Sequence, residues 1–156
     1  MNDSPADSDA RMAASKILVV DDNEQNLELL VAYLETLNCP VVTAVDGVDA
    51  LEKIAAEEPD LILLDIMMPR MSGFEVCRKI KSDPTTRDIP VIMVTALNEL
   101  TDIERGVESG TDDFITKPVN RLELTTRVKS LLRVKHLKSE LDRTLAYLDQ
   151  VEKPES

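Results

Sequence analysis

Uninterrupted runs of apolar residues alternate along this chain with stretches in which apolar residues recur every three or four positions. The runs lie at 16–20, 40–44, 60–65, 89–95 and 113–116. Runs of this kind, without polar alternation, are typical of strands buried on both faces of a parallel sheet. The intervening stretches predict helices, because their apolar positions fall on one face. The pattern therefore predicts an α/β fold in which helices cover both faces of a five-stranded parallel sheet.

Turn and cap residues mark where the intervening helices begin and end. Asn23 or Asp22 can cap a first helix that carries the leucines from Leu27 to Leu37, and Asp46-Gly47 precedes a second. Gly73 precedes a third helix, and a fourth is expected from about Glu99 to Ser109.

The chain after Val119 is predicted to be helical as far as Val151. Its apolar residues follow one another in steps of mostly three or four: Leu124, Val128, Leu131, Leu132, Val134, Leu137, Leu141, Leu145, Leu148 and Val151. A helix of about 12 residues would be enough to cover the sheet. The surplus, 134–151, predicts a helix that packs on a partner helix, and we expect a homodimeric coiled coil or a signalling helix. The alternatives are a helix that folds back on its own domain and a helix end left frayed by truncation.

Length and composition limit the classes of function. The chain has 156 residues, 43% hydrophobic and 31% charged, with a net charge of −12. This charge argues against nucleic acid or an anionic membrane as a direct partner, whereas divalent cations or a basic protein surface would be attracted. Cys39 and Cys77 are far apart, and no signal peptide or long apolar segment is present, so we expect free thiols in the cytoplasm.

The same patterns predict four segments. Residues 1–15 are polar and acidic and are expected to be a disordered tail. The domain itself spans 16–133, the extended helix 134–151, and a second disordered tail 152–156.

Polar side chains stand where the predicted strands end. Asp21 and Asp22 follow the first strand, Asp65 ends the third, Thr95 ends the fourth and Lys117 follows the fifth. In open parallel sheets, ligands bind at the carboxyl ends of the strands. Clustered carboxylates favour a hard cation such as Mg²⁺, and a lysine and a hydroxyl beside them are suited to phosphoryl transfer onto a carboxylate. Each residue is weak evidence alone; their joint occurrence at strand ends is specific.

The segments "ILVVDDN", "DLILLDIMMPRMSGFEVCRKIK", "IPVIMVTA" and "GTDDFITKPV" resemble the receiver domain of two-component response regulators. The resemblance covers residues 16–133. It implies a flavodoxin-like (βα)5 fold and implies that Asp65 accepts phosphate from a histidine kinase or phosphotransfer protein. Asp22, Asp65 and the backbone carbonyl of Met67 would bind Mg²⁺ directly, and Asp21 mainly through water.

The resemblance also implies how the site changes on phosphorylation. Thr95 and Lys117 would hold the phosphoryl group, and the Lys117–Pro118 bond would be cis. The Thr95 hydroxyl would move toward the phosphoryl group and the Phe114 ring would turn inward, which would reshape the face formed by the fourth helix, the fifth strand and the fifth helix. Because Met67 and Leu97 cannot position a hydrolytic water, we expect slow autodephosphorylation.

Two further interpretations remain open. Phosphatases of the haloacid dehalogenase type use a similar set of residues, but they have an acid where this chain has Met67, so we expect no turnover of an external substrate. Residues 121–145 also resemble the helix that joins receivers to a cyclase or phosphodiesterase output domain, in which case the chain is the input fragment of a longer protein. His136, the single histidine, is expected to be a solvated surface residue.

Overall fold

Five parallel strands form one sheet in the order β2-β1-β3-β4-β5. The computed structural model describes residues 13–96 and 100–152. The strands are β1 (Ile17–Val20), β2 (Val41–Ala44), β3 (Leu61–Asp65), β4 (Val91–Thr95) and β5 (Asp113–Thr116). The helices are α1 (Glu24–Leu34), α2 (Gly47–Glu57), α3 (Gly73–Ser82), α4 (Leu100–Ser109) and α5 (Arg121–Glu152), and a 3₁₀ turn follows α1 at Glu35–Leu37. The predicted fold is thereby confirmed.

The apolar strands are buried because helices cover both faces. On one face, Leu18, Val20 and their neighbours in β3 and β4 pack with α2 and α3. On the other face, Ile17, Val19 and their neighbours in β3 and β4 pack with α1 and the first half of α5. Neither face of β3 meets solvent, and this explains why its sequence shows no polar alternation.

Boundaries differ from the prediction at several places. The first helix ends at Leu34, and Leu37 lies in the 3₁₀ turn that follows it. This turn ends at Asn38, which adopts a left-handed conformation (φ 58°). The last helix begins at Arg121 rather than Val119. Residues 1–12 and 153–156, where tails were predicted, lie outside the described residues, but Ser15 is buried and belongs to the fold.

The apolar residues of α5 occupy two faces rather than the single stripe that the spacing predicts. Leu124, Val128 and Leu132 are buried on the sheet. Leu132 and Leu137 are five residues apart, which corresponds to a turn of about 140° around the helix. The later apolar residues therefore point away from the domain; Val134, Leu137, Leu141, Leu145, Leu148 and Val151 are all exposed. We call this second face the outer seam.

Three polar contacts fasten the middle of α5 to the amino ends of the strands. We call them the base clamp: Lys135 to Asp60 (2.8 Å), His136 to Ser15 (3.0 Å) and Lys138 to Asp88 (2.9 Å). His136 is thus partly buried and bonded, not the solvated surface residue that was expected. The clamp fixes which side of the helix faces the domain and which side carries the outer seam.

No helix within the described residues is both long enough and apolar enough to span a membrane.

Candidate functional site

The acidic centre of the site forms where the strand order reverses, between β1 and β3. Val20 pairs with Leu64, so the next residues, Asp21 and Asp65, lie side by side at the carboxyl edge of the sheet. Carboxylate oxygens of Asp21, Asp22 and Asp65 all lie within 4.8 Å of one another. The fold thus brings Asp65 next to Asp21 and Asp22, although it is more than forty residues away from them in the sequence.

The local chain fixes the orientation of these carboxylates. The Asn23 backbone N–H donates to Asp21 Oδ1 at 2.9 Å, while the Asn23 side chain caps α1 by accepting from Asn26 N–H. The Met67 backbone N–H lies 3.4 Å from Asp65 Oδ1. Asp21 and Asp65 are 1% and 4% exposed, whereas Asp22 is open to solvent.

Lys117 links the two buried carboxylates. Its Nζ lies 3.5 Å from Asp65 Oδ1 and 3.6 Å from Asp21 Oδ2. The Lys117 backbone N–H donates to the Thr95 carbonyl at 2.7 Å, which joins β5 to the end of β4. The peptide bond from Lys117 to Pro118 is cis. The five strand-end residues singled out in the sequence, Asp21, Asp22, Asp65, Thr95 and Lys117, therefore stand at one edge of the sheet.

The negative charge of this cluster is only partly compensated within the chain. Burial first, and then the Asp21 carboxylate, raise the pKa of Asp65 to about 6, although Lys117 and the Met67 N–H lower it. Asp21 Oδ2 is buried and has no hydrogen-bond partner among the described residues. A buried carboxylate oxygen that lacks a hydrogen bond and stands beside a second carboxylate matches the oxygen donors that Mg²⁺ takes, so the residues present fit that ion.

The loop over the site, 66–72, is held by close backbone packing. Gly73 N–H donates to the Ile66 carbonyl at 2.9 Å, and a Cβ on Gly73 would lie only 2.4 Å from the Asp65 carbonyl oxygen. The sequence assigned Gly73 to a turn and gave no sign of this contact with the backbone of Asp65. The Met67 side chain, two residues after Asp65, is 64% exposed, and Leu97 lies outside the described residues.

The Phe114 ring is partly buried, packs against the core on the α2–α3 face and touches Gly106 of α4. Sequence reasoning did not single out Gly106. The signal was present, however, because a glycine inside an amphipathic helix is unfavourable and usually has a packing reason.

Comparison with known proteins decides the family. Residues 17–129 match the model of the response regulator receiver domain. The chain belongs to this family. It is 52% identical over 128 residues to the response regulator PleD of Caulobacter vibrioides; the match covers 82% of this chain and 28% of PleD. The chain thus spans little more than a quarter of that relative.

Solved receiver structures agree with this assignment. The signal receiver domain of a signal transduction histidine kinase from Syntrophus aciditrophicus superposes with a TM-score of 0.73 at 39% identity, covering 77% of this chain and 91% of that one. The receiver domain of sensor histidine kinase PA1611 from Pseudomonas aeruginosa has a TM-score of 0.71 at 29% identity, covering 76% and 98%. That structure holds a magnesium ion coordinated in its active site cleft.

Proposed function

We propose that this receiver domain accepts a phosphoryl group on Asp65 from the phosphohistidine of a histidine kinase or phosphotransfer protein. The observation that carries the proposal is the cluster of Asp21, Asp22 and Asp65 within 4.8 Å, with Lys117 Nζ 3.5 Å from Asp65 Oδ1. Family membership supports the same assignment.

In the transfer, an Asp65 carboxylate oxygen attacks phosphorus and the bond from phosphorus to the imidazole nitrogen breaks. The imidazole leaves with the bonding electron pair. With one proton on its two ring nitrogens, it is then a neutral histidine side chain. Asp65 must be ionised to attack, and a pKa of about 6 leaves it mostly ionised at neutral pH. Lys117 and the Thr95 hydroxyl would hold the phosphoryl oxygens as charge moves onto them.

The same proposal includes a Mg²⁺ site. Asp22, Asp65 and the Met67 backbone carbonyl would bind the ion directly, and Asp21 mainly through water. The buried Asp21 Oδ2 without a hydrogen-bond partner supports this set, because a nearby cation compensates such an atom. When bound, Mg²⁺ supplies positive charge against the phosphoryl oxygens and the crowded carboxylates.

The proposed output of phosphorylation is a change on the face formed by α4, β5 and α5. Thr95 would move toward the phosphoryl group, and Phe114 would turn inward behind it. The cytoplasm is the proposed location, because Cys39 and Cys77 are both buried thiols rather than disulfide partners. The net charge of −12 supports protein partners rather than nucleic acid or membrane.

Phosphorylation by acetyl phosphate in the presence of Mg²⁺ tests the proposal. Intact-mass spectrometry should show one phosphoryl group on the unmodified chain and none on Asp65→Asn. The matched control is Asp60→Asn, at the opposite end of the same strand, which should be phosphorylated normally. Phosphorylation of Asp65→Asn at the unmodified rate would contradict the assignment.

Two side observations belong to the same assay. The phosphoprotein should persist well beyond seconds, because neither Met67 nor Leu97 can orient a water; a half-life of seconds would contradict this. Repeated release of phosphate from a phosphate monoester would instead favour the phosphatase alternative.

The outer seam favours a second function, self-association. Val134, Leu141 and Leu148 are seven residues apart, as are Leu137, Thr144 and Val151, and this is the heptad period of a coiled coil. The seam is exposed, and the buried residues of α5, Leu124, Val128 and Leu132, stay on the domain, so two copies could pair without unfolding either.

Sedimentation of the chain with and without beryllofluoride, a phosphoryl mimic, tests for pairing. The dimer should be lost in Leu141→Lys, while the matched exposed change Leu29→Lys on α1 should leave it intact. A monomer under both conditions would refute self-association.

The PleD match supports the input module of a longer protein as the alternative. Most of PleD lies outside the matched region, and α5 continues well past the sheet. A cyclase or phosphodiesterase output remains a proposal that a sequence of the full gene would settle.

A further inference from the structure

The chain has two phenylalanines, and both contact helix α4 at adjacent positions. The Arg105 guanidinium lies 4.4 Å from the centroid of the Phe74 ring. The next residue, Gly106, faces the ring of Phe114. Helix α4 is therefore placed against the rest of the domain by two aromatic rings, one from α3 and one from β5.

The contact at Gly106 leaves no room for any other side chain. A Cβ there would lie 2.2 Å from Phe114 Cζ, 2.5 Å from Cε1 and 3.3 Å from Met93 Sδ. Real Cβ atoms do not approach ring carbons so closely, so the ring occupies the place of the missing side chain. Helical conformation alone disfavours glycine relative to alanine, so the helix gains nothing from Gly106 except this space.

The ring that fills this space is coupled to the site through two strands. Phe114 pairs with Met93 across β4 and β5, and Thr95 pairs with Thr116 two residues further on. Lys117, which contacts Asp65, comes three residues after Phe114. The ring position and the two proposed phosphoryl-holding residues thus share one pair of hydrogen-bonded strands.

We infer that Gly106 is a positioning residue: it forms the slot in α4 that holds the Phe114 ring where this structure has it, and thereby sets how readily the ring turns when the site is phosphorylated. The inference rests on the proposed function, because it assigns the slot a role in the response of that same site. A side chain at 106 would push the ring out of the slot or move α4 away, and either change would shift the balance between the two ring positions.

The test is the affinity for beryllofluoride with Mg²⁺, measured for Gly106→Ala and for the double variant Gly106→Ala/Phe114→Leu. We expect the affinity of Gly106→Ala to differ about tenfold from that of the unmodified chain, a change of about 1.4 kcal/mol. In the Phe114→Leu background, the same alanine should change the affinity by less than twofold, because the smaller side chain leaves room for Cβ. Val107→Ala, at an exposed neighbouring position on α4, is the control and should bind as the unmodified chain does.

Thermal unfolding separates the slot from a general effect on the helix. Alanine for glycine should raise the midpoint by a few degrees in the Phe114→Leu background, where helix propensity acts alone, and lower it in the presence of the Phe114 ring. If Gly106→Ala does not fold, Phe114→Trp tests the slot by enlarging the ring that fills it instead of filling the slot itself. Its larger ring does not fit the slot and should change the affinity for beryllofluoride in the same direction as Gly106→Ala.

Unchanged affinity in a folded Gly106→Ala or Phe114→Trp would overturn the inference, as would an equal change from alanine in both backgrounds. These outcomes differ from a failure of the proposed function. In that case the unmodified chain would itself fail to bind beryllofluoride, or Asp65→Asn would bind it equally well.

Discussion

Replacing Asp65 with asparagine should stabilise the metal-free protein at neutral pH. Asp65 is 4% exposed, and burial followed by the Asp21 carboxylate raises its pKa to about 6 despite the opposing effect of Lys117. The ionised carboxylate is therefore a destabilised group in the absence of a cation. Asparagine has nearly the same shape and no charge, so it removes that cost.

The magnitude follows from the difference between the folded and unfolded pKa. The ordinary value is 3.8 and the folded value about 6, a difference that corresponds to about 3 kcal/mol. Between these two values the folded state binds more protons than the unfolded state. The contribution of Asp65 is thus most favourable below pH 3.8, falls as pH rises to 6, and stays at its least favourable level above 6.

Urea unfolding in the presence of EDTA, at pH values from 4 to 7, measures this effect. Other carboxylates titrate in the same range, so the informative quantity is the difference in unfolding free energy between Asp65→Asn and the unmodified chain. We expect this difference to be near zero at pH 4 and to grow to about 3 kcal/mol in favour of Asp65→Asn at pH 7. Asp88→Asn is the matched control, because its hydrogen bond to Lys138 lowers the pKa of Asp88, and its effect should have the opposite sign.

Two results would refute the reasoning. Equal stability of the two proteins from pH 4 to 7 would mean that Asp65 ionises without cost. A stabilisation that is largest at pH 4 and disappears toward pH 7 would mean that the sign is wrong.

Three further predictions follow from the same contacts. Mg²⁺ at ten times its dissociation constant should raise the unfolding free energy at pH 7 by about 1.4 kcal/mol in a thermal scan, and Asp65→Asn should lose most of this gain. Gly73→Ala should cost about 2 kcal/mol or more in urea, since its Cβ would lie 2.4 Å from the Asp65 carbonyl oxygen, a backbone atom that cannot rotate away. Asp60→Asn should cost about 1 kcal/mol and speed amide exchange in α5 beyond Lys135, with phosphorylation unchanged; unaltered exchange there would show that the base clamp does not hold the helix.

The sheet and the chemistry of its edge could be predicted because they depend on long, unambiguous signals. A run such as Leu61–Leu64 has no polar alternation and is typical of a strand buried on both faces. Once the strands are parallel, their carboxyl ends meet at one edge, so Asp21 and Asp65 become neighbours without any knowledge of distances. The missing hydrogen bond at Asp21 Oδ2 and the degree of burial required coordinates, because both depend on how neighbouring side chains pack.

The features that sequence reasoning missed are those set by contacts between distant elements. Gly106 looks like a weak helix residue until the Phe114 ring is placed against it. Ser15 looks like part of an acidic tail, yet it is buried because His136, 121 residues later, is within hydrogen-bond distance. In each case the partner comes from another element, and the spacing of residues along the chain does not predict that contact.

In helix α5 the spacing of apolar residues predicts the helix correctly, but those residues occupy two faces rather than one. Steps of three and four residues continue from Leu124 to Val151, and a single stripe is the simplest interpretation. The steps do not repeat with the helical period across Leu132 and Leu137, so the apolar face turns by about 140° there.

That turn is what lets one helix serve two surfaces. Its first face is buried on the sheet, the base clamp holds the next turn at the amino ends of the strands, and the outer seam faces away from both. Asp60 immediately precedes β3 and Asp65 ends it, and this strand is buried along its whole length and packed on both faces, so it has little room to move. The proposed response runs sideways instead, through Phe114 and the Gly106 slot to the face that α4 and β5 share with the beginning of α5. On that proposal, phosphorylation would influence the outer seam from the amino-terminal end of α5. The base clamp, which holds α5 where it leaves the domain, would then set the direction of the exposed part of the helix.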